Sequence, residues 1–402
     1  MRRIVIIGGG QAASALIAKL VAEKSDDRIT LVCAEPRLPY QRPPLSKAYL
    51  LGEMAEDRLY FRPAAWYDEH GIDVRLNSRA DSIDKAAKTV TLDGGEVLAY
   101  DDLVLTTGAH PRTLPAAIGG TLGNVFAVRD LDDADAMEPA FVAGARALIV
   151  GGGYIGLEAA AVAAKRGVSV TLVEAADRIL QRVAAPETSD FFRELHRAHG
   201  VDIREGVGLS ALTGDDVVTG ATLSDGTTLD IDFAIAGVGI APATILAEGA
   251  GLVIDNGIAT DVHGRTSDPH IWAAGDCASA PYRDGRVRIE SVGNAIDQAE
   301  IVAHNLLGRP VTYTPKPWFW SDQYDVKLQI AGLNTGYTDL HVRDVDGARS
   351  HWYYRGDTLL AIDSLSDTRA YMVGKRLIEA GKSPAPAVVT AAETDLKALL
   401  RA

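Results

Sequence analysis

Two stretches of the chain share one hydrophobic grammar. A short β-branched run, three glycines and an Ala-rich stretch occur in RIVIIGGGQAASALIAKL from Arg3 and again in RALIVGGGYIGLEAAAVAAKRG from Arg146. Each is followed by a second apolar run that ends in acid: RITLVCAE closes on Glu35, and VSVTLVE on Glu174. That is strand, turn, helix, strand, twice, about 140 residues apart, and it predicts two nucleotide-binding domains with parallel sheets. Between them YDDLVLTTGAHPR, Tyr100 to Arg112, reads as a buried strand ending in Thr-Gly and then a proline. DFAIAGVGIAP and SDPHIWAAGDCA read as apolar strands that stop at a glycine.

IESVGNAIDQAEIVAHNLLG has helical periodicity, ended by Gly308 and Pro310. The Pro-rich RPVTYTPKPWFW reads as a linker. Beyond it VKLQIAGL, LHVRDVDG and ARSHWYYRGDTLLAIDSL alternate and turn at Gly347 and Gly356, which predicts an antiparallel sheet of about three strands. A helix near Ala370 to Ala380 and a loosely held tail from Lys382 complete the chain. In RPPLSK, Arg42 to Lys47, two adjacent prolines fix two φ angles and push the preceding residue towards extended structure. Ser46 is placed to cap a helix starting near Lys47, a stiff approach that suits a lysine held in one place.

The length of 402 residues allows two or three domains, and 47% hydrophobic with 23% charged residues is ordinary for a soluble enzyme. A net charge of −14 disfavours broad contact with nucleic acid or anionic lipid, so neither is expected as a partner. The two cysteines, Cys33 and Cys277, form no close pair, and the nine histidines show no metal spacing. Neither a disulfide framework nor a metal site is expected. The opening MRRIVIIG is too short in its apolar run for a signal peptide, and no run approaches the roughly 20 apolar residues of a membrane span. A cytoplasmic chain is expected.

Gly8-x-Gly10-x-x-Ala13 has the spacing of a dinucleotide turn. The first glycine makes the turn, the second admits a pyrophosphate, and Ala13 is small enough for close packing. The pyrophosphate would rest on the helix N-terminus, with Glu35 placed for a ribose hydroxyl pair. Gly151-x-Gly153-x-x-Gly156 repeats the logic with Glu174, whose carboxylate favours a 2′-hydroxyl and repels a 2′-phosphate, hence NADH over NADPH. Arg178 and Arg182, just beyond, would weaken that choice. By residue type alone, Glu174 would also serve to close a strand, Asp276 to cap a helix, Arg129 as a surface ion pair, and Trp318 and Trp320 as packing between domains. Two dinucleotide sites suggest one fixed flavin and one exchanging nicotinamide.

The ordered set GGGQAA, RPPLSK, LTTGAHPR, GGGYIGLE, GVGIAP, AAGDCA, IESVGNA and PWFWSDQY resembles FAD-dependent NADH:ferredoxin reductases. These are the reductase components of bacterial haem monooxygenases and ring-hydroxylating dioxygenases. The glycine motifs are shared with glutathione reductase; RPPLSK together with PWFWSDQY is more specific. The resemblance implies a glutathione-reductase-like α/β fold. An FAD domain would be made of residues 1–111 and 238–315, with an NADH domain at 112–237 between them. A C-terminal β-rich α+β domain would cover 316–402. It also implies hydride transfer from NADH to FAD, then single electrons to a 2Fe–2S ferredoxin serving a haem monooxygenase.

The same resemblance implies residue roles. Lys47 would lie by the flavin ring, with Glu158 or Glu290 as its partner and Trp320 near the ring. Ala12, Lys47, Ala80, Arg129, Asp276 and Val292 match FAD-contacting positions, joined by Gly8, Gly10, Ala13, Ala34, Glu35, Arg42, Thr107, Gly108 and Gly275. AAGDCA would start a helix facing the flavin's polar edge. Gly151, Gly153, Tyr154, Ile155, Gly156, Glu158, Glu174, Gly239 and Glu290 would line the NADH channel. Disulfide reductases on this fold need a cysteine pair near the first helix, and flavin peroxidases need one cysteine near the position of Arg42; this chain has neither. Rival readings are a rubredoxin or monodehydroascorbate reductase, and an apoptosis-inducing-factor-like binding flavoprotein. An acidic reductase meeting an acidic ferredoxin needs a local basic patch, for which Arg62, Arg283, Arg286 and Arg288 are the candidates.

Overall fold

The structure is a computed structural model that describes residues 1–401. One compact unit gathers Met1–Gln41, Glu56–His110 and Ala241–Pro317. Its centre is a parallel sheet in the spatial order Ile271–Ala273, Asp102–Leu105, Arg3–Ile7, Arg28–Val32, Asp73–Arg75. These strands are short apolar runs because both faces of the sheet are covered. Ile4 and Ile6 pack with Leu16, Leu20, Ala299 and Val302 from the helices Gln11–Ala22 and Val292–Leu306. Val5 and Leu103 pack on the other face with Ile83 and Val90 of a small antiparallel sheet. The first strand is central, so the winding reverses beside it, and its carboxyl end opens a crevice.

The second unit gathers Arg42–Ala55, Pro111–Ile240 and the chain from Trp318 onwards. It holds a second parallel sheet, Asp202–Glu205, Ser169–Glu174, Arg146–Val150, Phe233–Ala236, Val125–Phe126. The helix Tyr154–Lys165 that follows the second glycine turn is buried from Gly156 through Ala163, and Glu158 is the one charge in that run. The sheet expected to have about three strands near the C-terminus has five, in the order Trp318–Gln323, Val326–Gly332, Thr358–Leu365, Ala348–Arg355, Asp339–Val345. Helix Thr368–Glu379 packs on it through Tyr371, Val373 and Leu377.

Three local expectations fail for identifiable reasons. Residues 309–317 of the expected linker carry no regular structure, but its last residues, WFW, open the strand Trp318–Gln323; the buried positions of that strand are the polar Ser321 and Gln323, which inverts the usual apolar-in pattern. RPPLSK forms a single 3₁₀ turn over Pro43–Ser46, and Lys47 ends it instead of starting a helix. AAGDCA is a turn between two strands, not a helix start. After Asp276 the chain is captured by pairing of Ala278 and Ser279 with Ile258 and Ala259, a non-local partner. Among the described residues no helix is long and apolar enough to cross a membrane. Nor are three His, Cys, Asp or Glu side chains grouped so as to hold a metal ion.

Candidate functional site

In the first unit the predicted residues gather at the carboxyl ends of adjacent parallel strands. Gly8 follows Ile7 with φ +109°, and a Cβ there would lie 2.4 Å from the Thr106 carbonyl oxygen, so the turn admits no side chain. Gly10 is the N-cap of the first helix and has no side-chain cap; a Cβ on it would meet nothing within 4 Å. Open space over uncapped amides is what a pyrophosphate needs. Gly275 sits beside this start, its hypothetical Cβ 3.2 Å from Ala12 and 3.7 Å from Ala295. Val292 opens the neighbouring helix after the N-cap Ser291. Thr106 Oγ1 donates to the Gly8 carbonyl at 2.9 Å, and Thr107 Oγ1 to Ala243 at 2.7 Å, which fixes the strand end at Gly108. Glu35 accepts from the Tyr40 hydroxyl at 2.5 Å, so its carboxylate is oriented beyond the strand end near the exposed Ala34. These residues fit the adenine dinucleotide part of FAD.

In the second unit the construction repeats. Gly151 has φ +109°, and a Cβ there would lie 2.4 Å from the Gly237 carbonyl oxygen. Gly153 is an uncapped N-cap with open space where a Cβ would stand, and Gly156 packs against the Gly151 carbonyl oxygen. Glu174 does two jobs that sequence reasoning kept apart. Its Oε2 accepts from Gly152 N at 2.7 Å and its Oε1 from Ala176 N at 2.8 Å, so it closes the strand end while standing beside the glycine turn. Arg178 is drawn inward, donating to Ser189 Oγ at 2.5 Å and the Ala184 carbonyl at 2.9 Å. It is therefore not available to offset the charge of Glu174; Arg182 is exposed. Gly239 holds φ +97° and accepts from Arg112 N at 2.8 Å. Tyr154 and the exposed Ile155 begin the helix; the Tyr154 ring packs on Phe319 at 4.7 Å, and burial pushes its hydroxyl well above the usual tyrosine range.

The most closely built feature of this unit is Glu158, 1% exposed in the middle of the Ala-rich helix. A buried carboxylate without donors is costly. Two segments supply them. Lys47 Nζ lies 2.5 Å from Oε2, Ser46 Oγ donates to Oε2 at 2.9 Å, and Ser321 Oγ donates to Oε1 at 2.7 Å. RPPLSK and PWFWSDQY thus meet on one carboxylate. Sequence reasoning singled out Lys47 and Glu158 but missed Ser46 and Ser321. The available signal was the two serines inside the two most specific motifs.

The remaining candidates lie as follows. Glu290 is exposed and pairs with Arg288 Nη1 at 2.6 Å within the first unit. Ala80 starts a strand of the small antiparallel sheet there. Arg42 Nη1 donates to the Arg129 carbonyl at 2.8 Å, and Arg129 N donates to Asp133, so these two are joined in the second unit. Trp320 is half-buried and stacks on Trp318 at 5.6 Å. Half of the expected basic patch is turned inward. Arg286 donates to the Thr260 carbonyl at 2.7 Å, and Arg288 donates to the Asp276 carbonyl at 3.1 Å with its side chain 9% exposed. Arg62 and Arg283 remain on the surface, over the rings of Trp66 and Tyr282.

Comparison with known proteins adds relatives to this geometry. The chain matches the pyridine nucleotide-disulphide oxidoreductase family over residues 2–299 and the reductase C-terminal family over residues 318–400. It is 41% identical to a ferredoxin–NAD(P)+ reductase from Sphingomonas sp., over 94% of this chain and 92% of that one. It is 37% identical to the ferredoxin–NAD+ reductase component of the anthranilate 1,2-dioxygenase system of Burkholderia cepacia, over 98% of each. Among solved structures it matches the covalent putidaredoxin reductase–putidaredoxin complex with a TM-score of 0.96 at 38% identity, covering 100% of this chain and 98% of that one.

Proposed function

The chain belongs to the pyridine nucleotide-disulphide oxidoreductase family, among its ferredoxin reductases, and from that premise we propose that it moves electrons from NADH through FAD to a 2Fe–2S ferredoxin. The balance is one NADH and two oxidised ferredoxins giving NAD+, two reduced ferredoxins and one proton. FAD supplies a carrier that takes two electrons as hydride and releases them singly. The chain's own residues bind and orient. The Gly8–Gly10 turn and Glu35 hold the FAD, with Gly275 and Asp276 beside them. The Gly151–Gly153 turn and Glu174 hold NADH. By the resemblance that singles out RPPLSK, Lys47, fixed by Glu158, would be the cation that favours the negative charge reduction brings to the flavin.

The observation that carries this reading is the state of the two cysteines. Both are buried, and burial pushes the Cys33 thiol up to about 12 and the Cys277 thiol up as well. Cys33 packs with Ile4 and Ile6 on one face of the first sheet and Cys277 with Val5 on the other, so the two form no dithiol for a relay, and in this reading electrons leave the flavin directly. The inward-facing Arg178 supports NADH as the donor. Free buried thiols suit a reducing cytoplasm. The terminal enzyme is a haem monooxygenase in this reading; a ring-hydroxylating dioxygenase is the second, favoured by the dioxygenase-system relative.

The test is anaerobic stopped-flow mixing in two halves. NADH should bleach the flavin, and a 2Fe–2S ferredoxin should restore it in two one-electron steps. Brisk turnover with rubredoxin, quinone or ascorbyl radical and none with any 2Fe–2S ferredoxin would overturn the assignment.

A further inference from the structure

The donors to Glu158 do not end at Ser321. Gln323 Nε2 donates to Ser321 Oγ at 3.1 Å, and His196 Nε2 lies 2.8 Å from Gln323 Oε1. Tyr324 OH lies 3.3 Å from His196 Nδ1. Ser321, Gln323 and His196 are each fully buried, and Tyr324 is half-buried with its ring stacked on the exposed His199 at 3.6 Å. The chain of side chains therefore runs from Lys47 to the rim of the second unit.

Its direction follows from the charge at its head. A carboxylate paired with a lysine only accepts, so Ser321 must donate to it. The serine lone pair is then left to accept from the amide nitrogen of Gln323. The amide oxygen in turn accepts from His196, which must carry its proton on Nε2. The bare Nδ1 then accepts from Tyr324. Burial pushes the His196 imidazole down to about 4, so at neutral pH it has one N–H to give. Four hydrogen bonds point one way, towards Glu158. Such a head-to-tail array polarises each member in turn.

We propose that His196 is a positioning residue for Lys47, acting through Gln323, Ser321 and Glu158. The buried chain fixes the Glu158 carboxylate, and that carboxylate fixes the lysine cation. The inference rests on the reading above that Lys47 serves the flavin. It also explains why WFWSDQ turns its polar residues inward at a cost in apolar burial.

The test uses the flavin-loaded protein and two readouts other than turnover. The first is the nitrogen NMR signature of His196. It should show the Nε2–H tautomer, and the Nε2 signal should move in Glu158→Gln although the two residues do not touch. The second is the midpoint potential of the bound flavin. Ser321→Ala removes a bond to a charged group and should shift the reduction equilibrium about tenfold, near 30 mV for two electrons. Gln323→Met and His196→Leu should shift it the same way by about threefold or less, because they remove only the polarisation passed along the chain. His196→Gln, which keeps a donor in place, should restore most of the difference. An Nδ1–H tautomer, or wild-type potentials in Gln323→Met and His196→Leu beside a shifted Ser321→Ala, would overturn the proposal. Lys47→Met judges the underlying reading separately. If it leaves the potential unmoved, Lys47 does not serve the flavin, and the response of His196 to Glu158→Gln alone decides the chain.

Discussion

Removing the Lys47 cation should harm the fold more than removing both members of its ion pair. Glu158 is 1% exposed and its partner's side chain 18%, at an N···O distance of 2.5 Å. Lys47→Met strands a carboxylate with two hydroxyl donors and no counter-charge. Breaking a fully buried pair costs about 3–5 kcal/mol, and the partial exposure of Lys47 puts this case near the lower end, about 3 kcal/mol. In Lys47→Met/Glu158→Gln the buried charge is gone. The amide oxygen can still accept from Ser46 or Ser321, and the net cost should fall to about 1 kcal/mol. With Glu158→Gln alone costing about 1 kcal/mol for the lysine it leaves unpaired, the coupling in a double-mutant cycle is about 3 kcal/mol in magnitude. Urea unfolding of the flavin-loaded proteins measures it. Tryptophan fluorescence reads both units, Trp66 and Trp272 in the first and Trp318, Trp320 and Trp352 in the second, so flavin absorbance is followed beside it to separate a transition of the first unit. If Lys47→Met costs under about 1 kcal/mol, or the single costs simply add, then Glu158 is not a buried charge that depends on Lys47.

The other predictions concern the cradles, the cofactor and pH. Gly10→Ala and Gly153→Ala place a methyl in open space at residues with negative φ, so with cofactors removed both proteins should keep the unfolding midpoint of the cofactor-free parent. The first should lose flavin on gel filtration, and the second should raise KM for NADH by about tenfold or more, the cost of a displaced charge-assisted hydrogen bond. Glu174→Gln removes the charge while keeping an acceptor for Gly152 N. The NADPH/NADH ratio of kcat/KM should rise about fivefold, the worth of roughly 1 kcal/mol of repulsion, and an unmoved ratio means Glu174 does not read the ribose. Asp363 is buried with Thr188 Oγ1 donating at 2.8 Å, and burial pushes its carboxyl from 3.8 up to about 6. The folded state therefore binds this proton more tightly than the unfolded chain. The stability it contributes is full below about 3.8 and is lost as pH rises through about 6, a swing of about 3 kcal/mol. Asp363→Asn should flatten the pH dependence of the urea midpoint across that window; parallel curves for the two proteins would refute it.

What the sequence made legible follows from how local each constraint is. The glycine turns are local: a strand, a positive φ and a helix start leave few residue types to choose from, so Gly8, Gly10, Gly151 and Gly153 can be read directly. That Glu158 needed a donor could also be read, because an acid within a run of buried alanines has no other way to be satisfied. The errors lie where a distant partner decides. The turn at Asp276 looks like a helix start until Ile258 and Ala259 take the following residues as a strand. Arg286 and Arg288 look like surface charges until backbone carbonyls draw them in. Ser321 and Gln323 are the most instructive case. Period-2 alternation assigns the apolar positions to the core, and here it fails because Trp318 and Trp320 are half-exposed while the polar residues go inside. A strand gives up that burial only where inward polar groups have a charge to serve, and Glu158 with Lys47 is that charge. Violation of the pattern is thus itself the sign of a site. That disagreement falls on the strand Trp318–Gln323, which begins inside the stretch first read as a linker and carries Ser321 and Gln323 just beyond it.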